Sequence, residues 1–531
     1  MRNIRNIFII SLMLLLSVGH SAAQSEDQAL KKVELAWQLI SNFYVDSVES
    51  DQVAEEAIKA MLKELDPHSS YIPAEDVEAM NEPLEGNFEG IGIEFMILDD
   101  TLTVVATIPG GPSEKVGLMA GDQIMEVDGE DVAGVGLSNN DVFDLLRGPK
   151  GTEVKLGVLR NEEKLSFNIE RDEIPIHSVE ASYKMTPQTG YIKISRFSET
   201  THQEFKDALE NLKDNQIDNL VLDLRGNGGG YLKASLDIAD EFIGERRLLL
   251  YTDGRSIPRS DYNSSTGGMW EDGRLIVLID EGSASASEIV AGAVQDWDRG
   301  IIMGRRSFGK GLVQRPFPLP DGAEIRLTIA RYYTPSGRSI QKPYENGVEE
   351  YREEILERYE HGEFVHADSV NFPDSLVYKT KNKGRNVYGG GGIFPDVFLP
   401  LDTSHYTDYY RDLVASGTLN RFVIDKMDEY RNQWEEEYST FDDFEEGFQI
   451  PEQFVESLIA SGEDDGIDPN EEELEKSLSW MKLQMKALIA RNIWGNSEYY
   501  QILNPAMPFF ERVIKVIEDP DLYSETFGDD Q

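Results

Sequence analysis

An apolar run ending at Asp280 is followed by Gly282-Ser283-Ala284-Ser285-Ala286-Ser287-Glu288 and then by Ile289, Val290, Ala293, Val294 and Trp297. That order predicts a strand, a tight turn of small residues and a helix. A serine at such a helix start carries its hydroxyl at the end of a strand, where backbone N–H groups and the positive end of the helix dipole face the same space. Ser285 in that place suits nucleophilic attack beside an oxyanion hole. The same residues also have a purely structural reading, because Ser285-x-x-Glu288 fits a capping box and small residues let a helix pack closely.

A serine nucleophile needs a base. Of the seven histidines, His20 lies in the N-terminal apolar segment, and His68, His177, His202, His361, His366 and His405 lie in ordinary polar contexts. No Gly-x-Ser-x-Gly pattern accompanies Ser285. Lysine is the other choice, provided that burial lowers its proton affinity. Lys310, in Ser307-Phe308-Gly309-Lys310-Gly311-Leu312-Val313-Gln314, has uncharged neighbours, and Gln314 can hold an amine by hydrogen bonding without adding a charge. A solvated turn lysine remains the bland alternative. The spacing Gly304-x-x-x-x-Gly309-Lys310-Gly311 nearly matches a phosphate loop, but Gly311 has no hydroxyl for magnesium and Leu312-Val313-Gln314-Arg315-Pro316 does not begin a helix.

Two glycine clusters add backbone donors. Asp223-Leu224-Arg225-Gly226-Asn227-Gly228-Gly229-Gly230 closes an apolar strand and supplies either a second oxyanion donor or a plain strand-to-helix loop. Phe88-Glu89-Gly90-Ile91-Gly92-Ile93 opens a strand with a turn whose N–H groups can capture a carboxylate, leaving a strand edge for an extended peptide; an ordinary β-hairpin is the alternative.

With Leu65-Asp66-Pro67-His68-Ser69, Thr334-Pro335-Ser336-Gly337-Arg338-Ser339-Ile340 and Gly392-Ile393-Phe394-Pro395-Asp396 in the same order, the chain resembles the carboxyl-terminal processing (tail-specific) proteases over roughly residues 35–400. The resemblance implies Ser285 as nucleophile, Lys310 as general base and Gln314 as the residue orienting it. It further implies an oxyanion hole from Ala286 and Gly229, a crotonase-like α/β core, and a PDZ-like module that receives substrate tails through Gly90, Ile91, Gly92 and Ile93. No metal or cofactor is expected. Gly228 stands where many members have proline, and the region after 400 lies outside the common core.

The elements that must position these residues follow from composition along the chain. Two positive charges, an apolar run from about Ile7 to Val18 and Ser21-Ala22-Ala23 read as a secretory signal over 1–23, shorter than the ~20 apolar residues of a spanning helix, so the expected location is the periplasm or cell envelope. Residues 24–82 read as helical, with Val33, Trp37, Ile40 and Tyr44 on one stripe that needs a covering surface. Residues 83–172 read as a small β module, 173–400 as the α/β core with a charged, turn-rich insertion at 345–385, and 401–531 as an acidic, mostly helical domain with a disordered linker near 461–473.

The 531 residues carry 50 basic and 98 acidic side chains, a formal charge of −48 that disfavours nucleic acid as a partner. About 31 acids and about 10 bases fall beyond residue 400, which locates about −21 of that charge there, on a surface suited to regulation or to an adaptor protein. The absence of cysteine excludes disulfides, thiolate metal sites and a cysteine nucleophile. The sequence-level reading is an exported serine endopeptidase acting on protein tails through an acyl-enzyme. The alternative is an inactive PDZ peptide-binding scaffold.

Overall fold

The computed structural model describes residues 28–98, 100–108, 110–160, 163–369 and 373–528. The expected signal over 1–23 lies outside the described residues. Two compact units are present: the described residues up to Pro73 with Pro316–Leu327, and residues 74–315 with 328–528.

In the first unit, helices span residues 28–43 and Ser50–Lys63, as the apolar spacing predicts. Of the stripe on the first helix, Val33, Ile40 and Tyr44 are exposed and Trp37 is half-buried. Leu65-Asp66-Pro67-His68-Ser69 forms a turn closed by Asp66, whose carboxylate accepts the N–H groups of His68 (2.8 Å) and Ser69 (2.9 Å). Strand Ser70–Ile72 then pairs antiparallel with Glu324–Arg326.

The core of the second unit is a six-stranded sheet in the order Val179–Lys184, Thr189–Ile194, Asn219–Asp223, Arg274–Ile279, Ile301–Gly304, Val397–Phe398. Only its first pair is antiparallel. A parallel sheet must be covered on both faces, so its strands read as continuous apolar runs. Alternate residues then go to opposite sides. Leu275, Val277 and Ile279 pack on the face that also buries Phe205, Ile238, Ile289 and Val290 from helices Thr201–Asp214, Leu232–Asp240 and Ala286–Asp296. Ile276 and Leu278 point the other way, against Phe510, Val513, Ile517 and Tyr523 of helices Pro508–Glu518 and Pro520–Thr526.

The end of the chain is thus a lid on the second face of the core sheet. Its edge is fixed by polar contacts, the Tyr523 hydroxyl donating to Leu275 O (2.9 Å) and accepting from Leu275 N (3.0 Å). Within 401–531 a second packing group forms a helical bundle around Tyr409, Leu413, Phe422, Trp434, Phe454, Leu458 and Met485. The linker expected near 461–473 is ordered instead: helix Glu452–Asp464 runs into a short turn, and Asn470 caps helix Glu471–Ile493. Acidic residues there lie on the outer faces of helices, so composition alone suggested disorder.

The insertion at 345–385 likewise contains a 13-residue helix, Val348–Glu360. It buries Tyr351 and the charged Arg358, and Arg306, Arg358 and Lys342 pair with Glu363 and Glu354. Residues 90–170 form an antiparallel sheet in the order Ile93–Leu98, Thr101–Thr107, Gln123–Val127, Glu153–Arg160, Glu163–Glu170, with helix Asn139–Leu146 over its apolar face. Strand Asn87–Gly90 leading in and Asp172–Pro175 leading out pair antiparallel, so the module joins the core through one two-stranded ribbon.

If the last helices complete the core, Phe510→Ala should lower stability by about 3–5 kcal/mol in urea unfolding, since it empties a fully buried ring site. Phe43→Ala, on an exposed face, should change it by about 0.5 kcal/mol or less. A loss below about 1 kcal/mol for Phe510→Ala would contradict this role.

Candidate active site

Three serines compete in the turn after strand Arg274–Ile279, and their surroundings separate them. Ser283 is fully buried and donates to Leu224 O (2.8 Å); Ser287 is fully buried and donates to Asn227 O (2.8 Å). Ser285 alone of the three retains access to solvent. Its backbone has φ +52° and ψ −109°, a conformation that costs a non-glycine residue about 1–3 kcal/mol and is held only where the surroundings over-determine it. The turn is thus a strained strand-to-helix elbow, built from alanines and serines where the familiar nucleophile pattern has glycines.

The surroundings that hold it centre on Glu288. Its carboxylate is fully buried and accepts four hydrogen bonds: from Ser285 N (2.8 Å) and Lys310 N (2.9 Å) on Oε2, and from Ser307 Oγ (2.5 Å) and Gly309 N (2.8 Å) on Oε1. The expected capping box therefore exists, and the same carboxylate also grips the loop that carries Lys310. Tyr332 ties the two residues from the other side. Its hydroxyl lies 2.6 Å from Lys310 O and 3.1 Å from Ser285 O and donates into that pair of carbonyls.

Burial pushes the Glu288 carboxyl up to about 7, while its four donors limit the rise. Beneath the Lys310 loop, the Lys342 ammonium sits 4.2 Å from the Phe308 ring centre and 4.3 Å from that of Tyr351, and Lys342 N donates to Gly309 O (2.9 Å). Gln314, on strand Leu312–Pro318, donates to Thr328 Oγ1 (3.2 Å).

The glycine loop at 226–230 reaches the same turn. A Cβ on Gly229 would lie 2.9 Å from Ser285 Cβ and 3.1 Å from Ala286 N, and its φ is +107°, so glycine is required there on both counts. The N–H of Gly229 donates to Asn227 Oδ1 (2.9 Å), while Asn227 Nδ2 donates to Ile194 O (2.9 Å). At the start of the loop, Arg225 makes a bidentate pair with Asp223, and its guanidinium lies 4.7 Å and 5.3 Å from the ring centres of Phe509 and Phe510. Burial would raise the Asp223 carboxyl, but Arg225 and Lys193 hold it well below the usual carboxylate range. The last helices therefore touch the loop beside Ser285.

Three histidines are paired with carboxylates, as His177–Glu204, His202–Glu241 and His405–Asp402. In the β module, Gly90-Ile91-Gly92 leads into strand Ile93–Leu98, which is an edge of its sheet with Thr101–Thr107 as its one neighbour in the strand order. Ile91 is buried, and its carbonyl accepts from Ser113 N (3.1 Å) and Oγ (2.6 Å). Sequence reasoning missed Tyr332 and the second role of Glu288. A buried acid three residues after the serine was a usable signal for Glu288; Tyr332 had none.

Two opposed pH effects follow from Glu288. The folded carboxyl holds its proton up to about pH 7 and the unfolded one only near its usual 4.5, so its contribution to stability is complete below about pH 4.5 and is lost as pH rises through about 7. Accepting from Ser285 N and Lys310 N at Oε2 favours the ionised form, so activity should rise through that range. Glu288→Gln should lower kcat by about 100-fold with KM little changed and remove that activity limb; unchanged kcat and an unchanged pH profile would contradict the assignment.

Comparison with known proteins agrees with this geometry. The model of peptidase family S41 matches residues 188–350, a PDZ domain model 90–170, the model of the activating protease CtpB N-terminal domain 15–76, and a family of unknown function 409–495. The carboxy-terminal processing protease CtpB of Bacillus subtilis is 38% identical over 326 residues, 60% of this chain and 67% of that protein. A carboxy-terminal-processing protease of Bartonella bacilliformis is 38% identical over 304 residues, covering 56% and 69%, and CtpA of Bacillus subtilis is 31% identical over 379 residues, covering 70% and 77%. A buried carboxylate holding a strained, accessible serine, a β module of PDZ type and relatives matched over two thirds or more of their length together place this chain among the carboxy-terminal processing proteases, serine peptidases of family S41.

Proposed function

We propose that the protein is an exported endopeptidase that cleaves protein substrates recognised by their C-terminal tails, with Ser285 as nucleophile and Lys310 as general base. The observation that carries the dyad is the shared grip of Glu288 and Tyr332 on the backbone of both residues, which holds them in one site. Lys310 in its neutral form takes the Ser285 proton as Oγ attacks the scissile carbonyl. The tetrahedral oxyanion meets the Ala286 N–H at the positive end of helix Ala286–Asp296. Collapse expels the amine, which takes the proton from Lys310; water then attacks the acyl-enzyme, again with Lys310 as base, and releases the acid.

Gly229 is the candidate second oxyanion donor. Its N–H must turn from Asn227 Oδ1 to reach the oxyanion. Gln314 acts from its strand as a neutral hydrogen-bonding neighbour of the base, without a charge that would favour the ammonium form. Gly90, Ile91, Gly92 and Ile93 receive the tail carboxylate, and the peptide adds to the free edge of strand Ile93–Leu98. Export rests on the N-terminal charge and apolar pattern; an adaptor protein would act on the acidic helical surface.

Ser285→Ala and Lys310→Ala should each fold as the parent does and lose at least about 1,000-fold in cleavage of a tail-bearing protein, measured by mass spectrometry of products. Full activity in either variant would overturn the dyad. Tail-peptide binding without turnover by the unmodified protein would favour the inactive scaffold.

A further inference from the structure

The helical bundle at 409–495 matches a family of unknown function and lies outside the peptidase and PDZ matches. Its two ends meet different partners. Toward the core it continues into helix Asn496–Leu503, where Ser182 N donates to Ser497 Oγ (3.1 Å), the Tyr500 hydroxyl donates to Glu180 (2.9 Å) and Asn504 donates to Tyr183 (2.6 Å). This end is welded to the first strand of the sheet.

Toward the PDZ module the contacts include an ion pair, a carboxylate laid against backbone and a methyl group. Arg491 pairs with Glu94 (2.8 Å) on edge strand Ile93–Leu98. The Asp428 carboxylate lies against the backbone of Gly121, where a Cβ would come within 2.2 Å of it, beside the Asp122–Arg160 pair. The methyl end of Met96 lies 3.0 Å from the Cβ position of Gly417. Glu94 and Arg491 both keep solvent access, so this end can release.

The module otherwise joins the chain through the ribbon of Asn87–Gly90 and Asp172–Pro175 and through Arg147, which pairs with Glu82 ahead of the ribbon and lies 5.2 Å from the ring centre of Phe88 within it. These ties gather at one place, which serves as the hinge. We propose that the bundle is a strut that fixes the orientation of the PDZ module over the protease core, so that a tail bound at the edge strand is delivered at a set distance from Ser285. This rests on the reading of the module as the tail receptor. A freely swinging module would spread a bound tail over a larger volume and lower its effective concentration at the nucleophile, without changing tail affinity. The strut therefore acts on cleavage of tail-bearing substrates and not on the chemistry itself.

The test uses the full chain and two opposite perturbations. Asp428→Arg with Arg491→Glu opens the contact by bulk at Gly121 and by like charges facing Arg160 and Glu94. Gly121→Cys with Asp428→Cys closes it by a disulfide in a chain that has no other cysteine. The opened variant should lose about 10-fold in kcat/KM on a protein carrying an apolar C-terminal tail, keep its rate on a short tail-less peptide, and bind a fluorescent tail peptide within about twofold of the parent. The closed variant, oxidised, should cleave the tail-bearing protein at least as well as when reduced, the reduced form serving as control for the strain of a side chain at Gly121.

Equal cleavage of the tail-bearing protein by opened and parent enzymes would overturn the strut. Failure of the disulfide to form in the folded protein would overturn the contact. If the parent does not bind the tail peptide, the tail-receptor reading fails, and the strut's proposed purpose falls with it.

Discussion

One buried carboxylate organises this enzyme's chemistry. Glu288 sits in the first turn of a helix whose residues are all buried, and its two oxygens take donors from both the Ser285 turn and the Lys310 loop. An uncompensated buried carboxylate would be strongly unfavourable; four donors make it a junction. Because Ser285 is held at positive φ, the junction must offset that strain as well as fix position. Tyr332 completes the restraint from the opposite side, and Lys342 supports the Phe308–Gly309 backbone beneath it.

The junction depends in turn on a sheet that presents its strand ends in one place. Asn219–Asp223 and Arg274–Ile279 are parallel neighbours, so the loops that follow them, one carrying Gly229 and the other Ser285, emerge side by side. Such strands need cover on both faces. One cover is local, supplied by helices between the strands; the other comes from the far end of the chain, where Phe510 and its neighbours close the second face and Phe509 and Phe510 stack on Arg225. The acidic region after residue 400 therefore has two physical duties: its last helices complete the core, and its bundle carries much of the negative surface.

Local pattern made much of this legible. The strand, turn and helix around Ser285, the glycine loop at 226–230 and the strands of the β module all announce themselves through apolar runs and glycine punctuation. The chemistry of Ser285 against a plain helix cap could not be separated at that level, because both use the same residues. What the fold adds is that Ser285 stands apart from its neighbours: Ser283 and Ser287 are buried and hydrogen-bonded, while Ser285 is accessible and strained.

What stayed hidden depends on contacts distant in sequence. Tyr332 meets Ser285 O across 47 residues, and the Tyr523 hydroxyl meets the strand at Leu275 across 248. No periodicity encodes such pairings. Charge also obscured order: the turn after Asp464 and the helix at Val348–Glu360 carry their acids outward or pair them with half-buried Arg306 and buried Arg358 and Lys342, so a composition suggestive of loops covers well-packed helices.

The central claim is that Ser285, and neither serine beside it, forms the acyl-enzyme. The direct measurement is to trap that intermediate with a slowly deacylated ester substrate at low pH, then map the added mass by peptide mass spectrometry. The account predicts a stoichiometric acyl group on Ser285, with Ser283 and Ser287 unmodified. Acylation of another residue, or continued hydrolysis with no covalent intermediate on this turn, would contradict it.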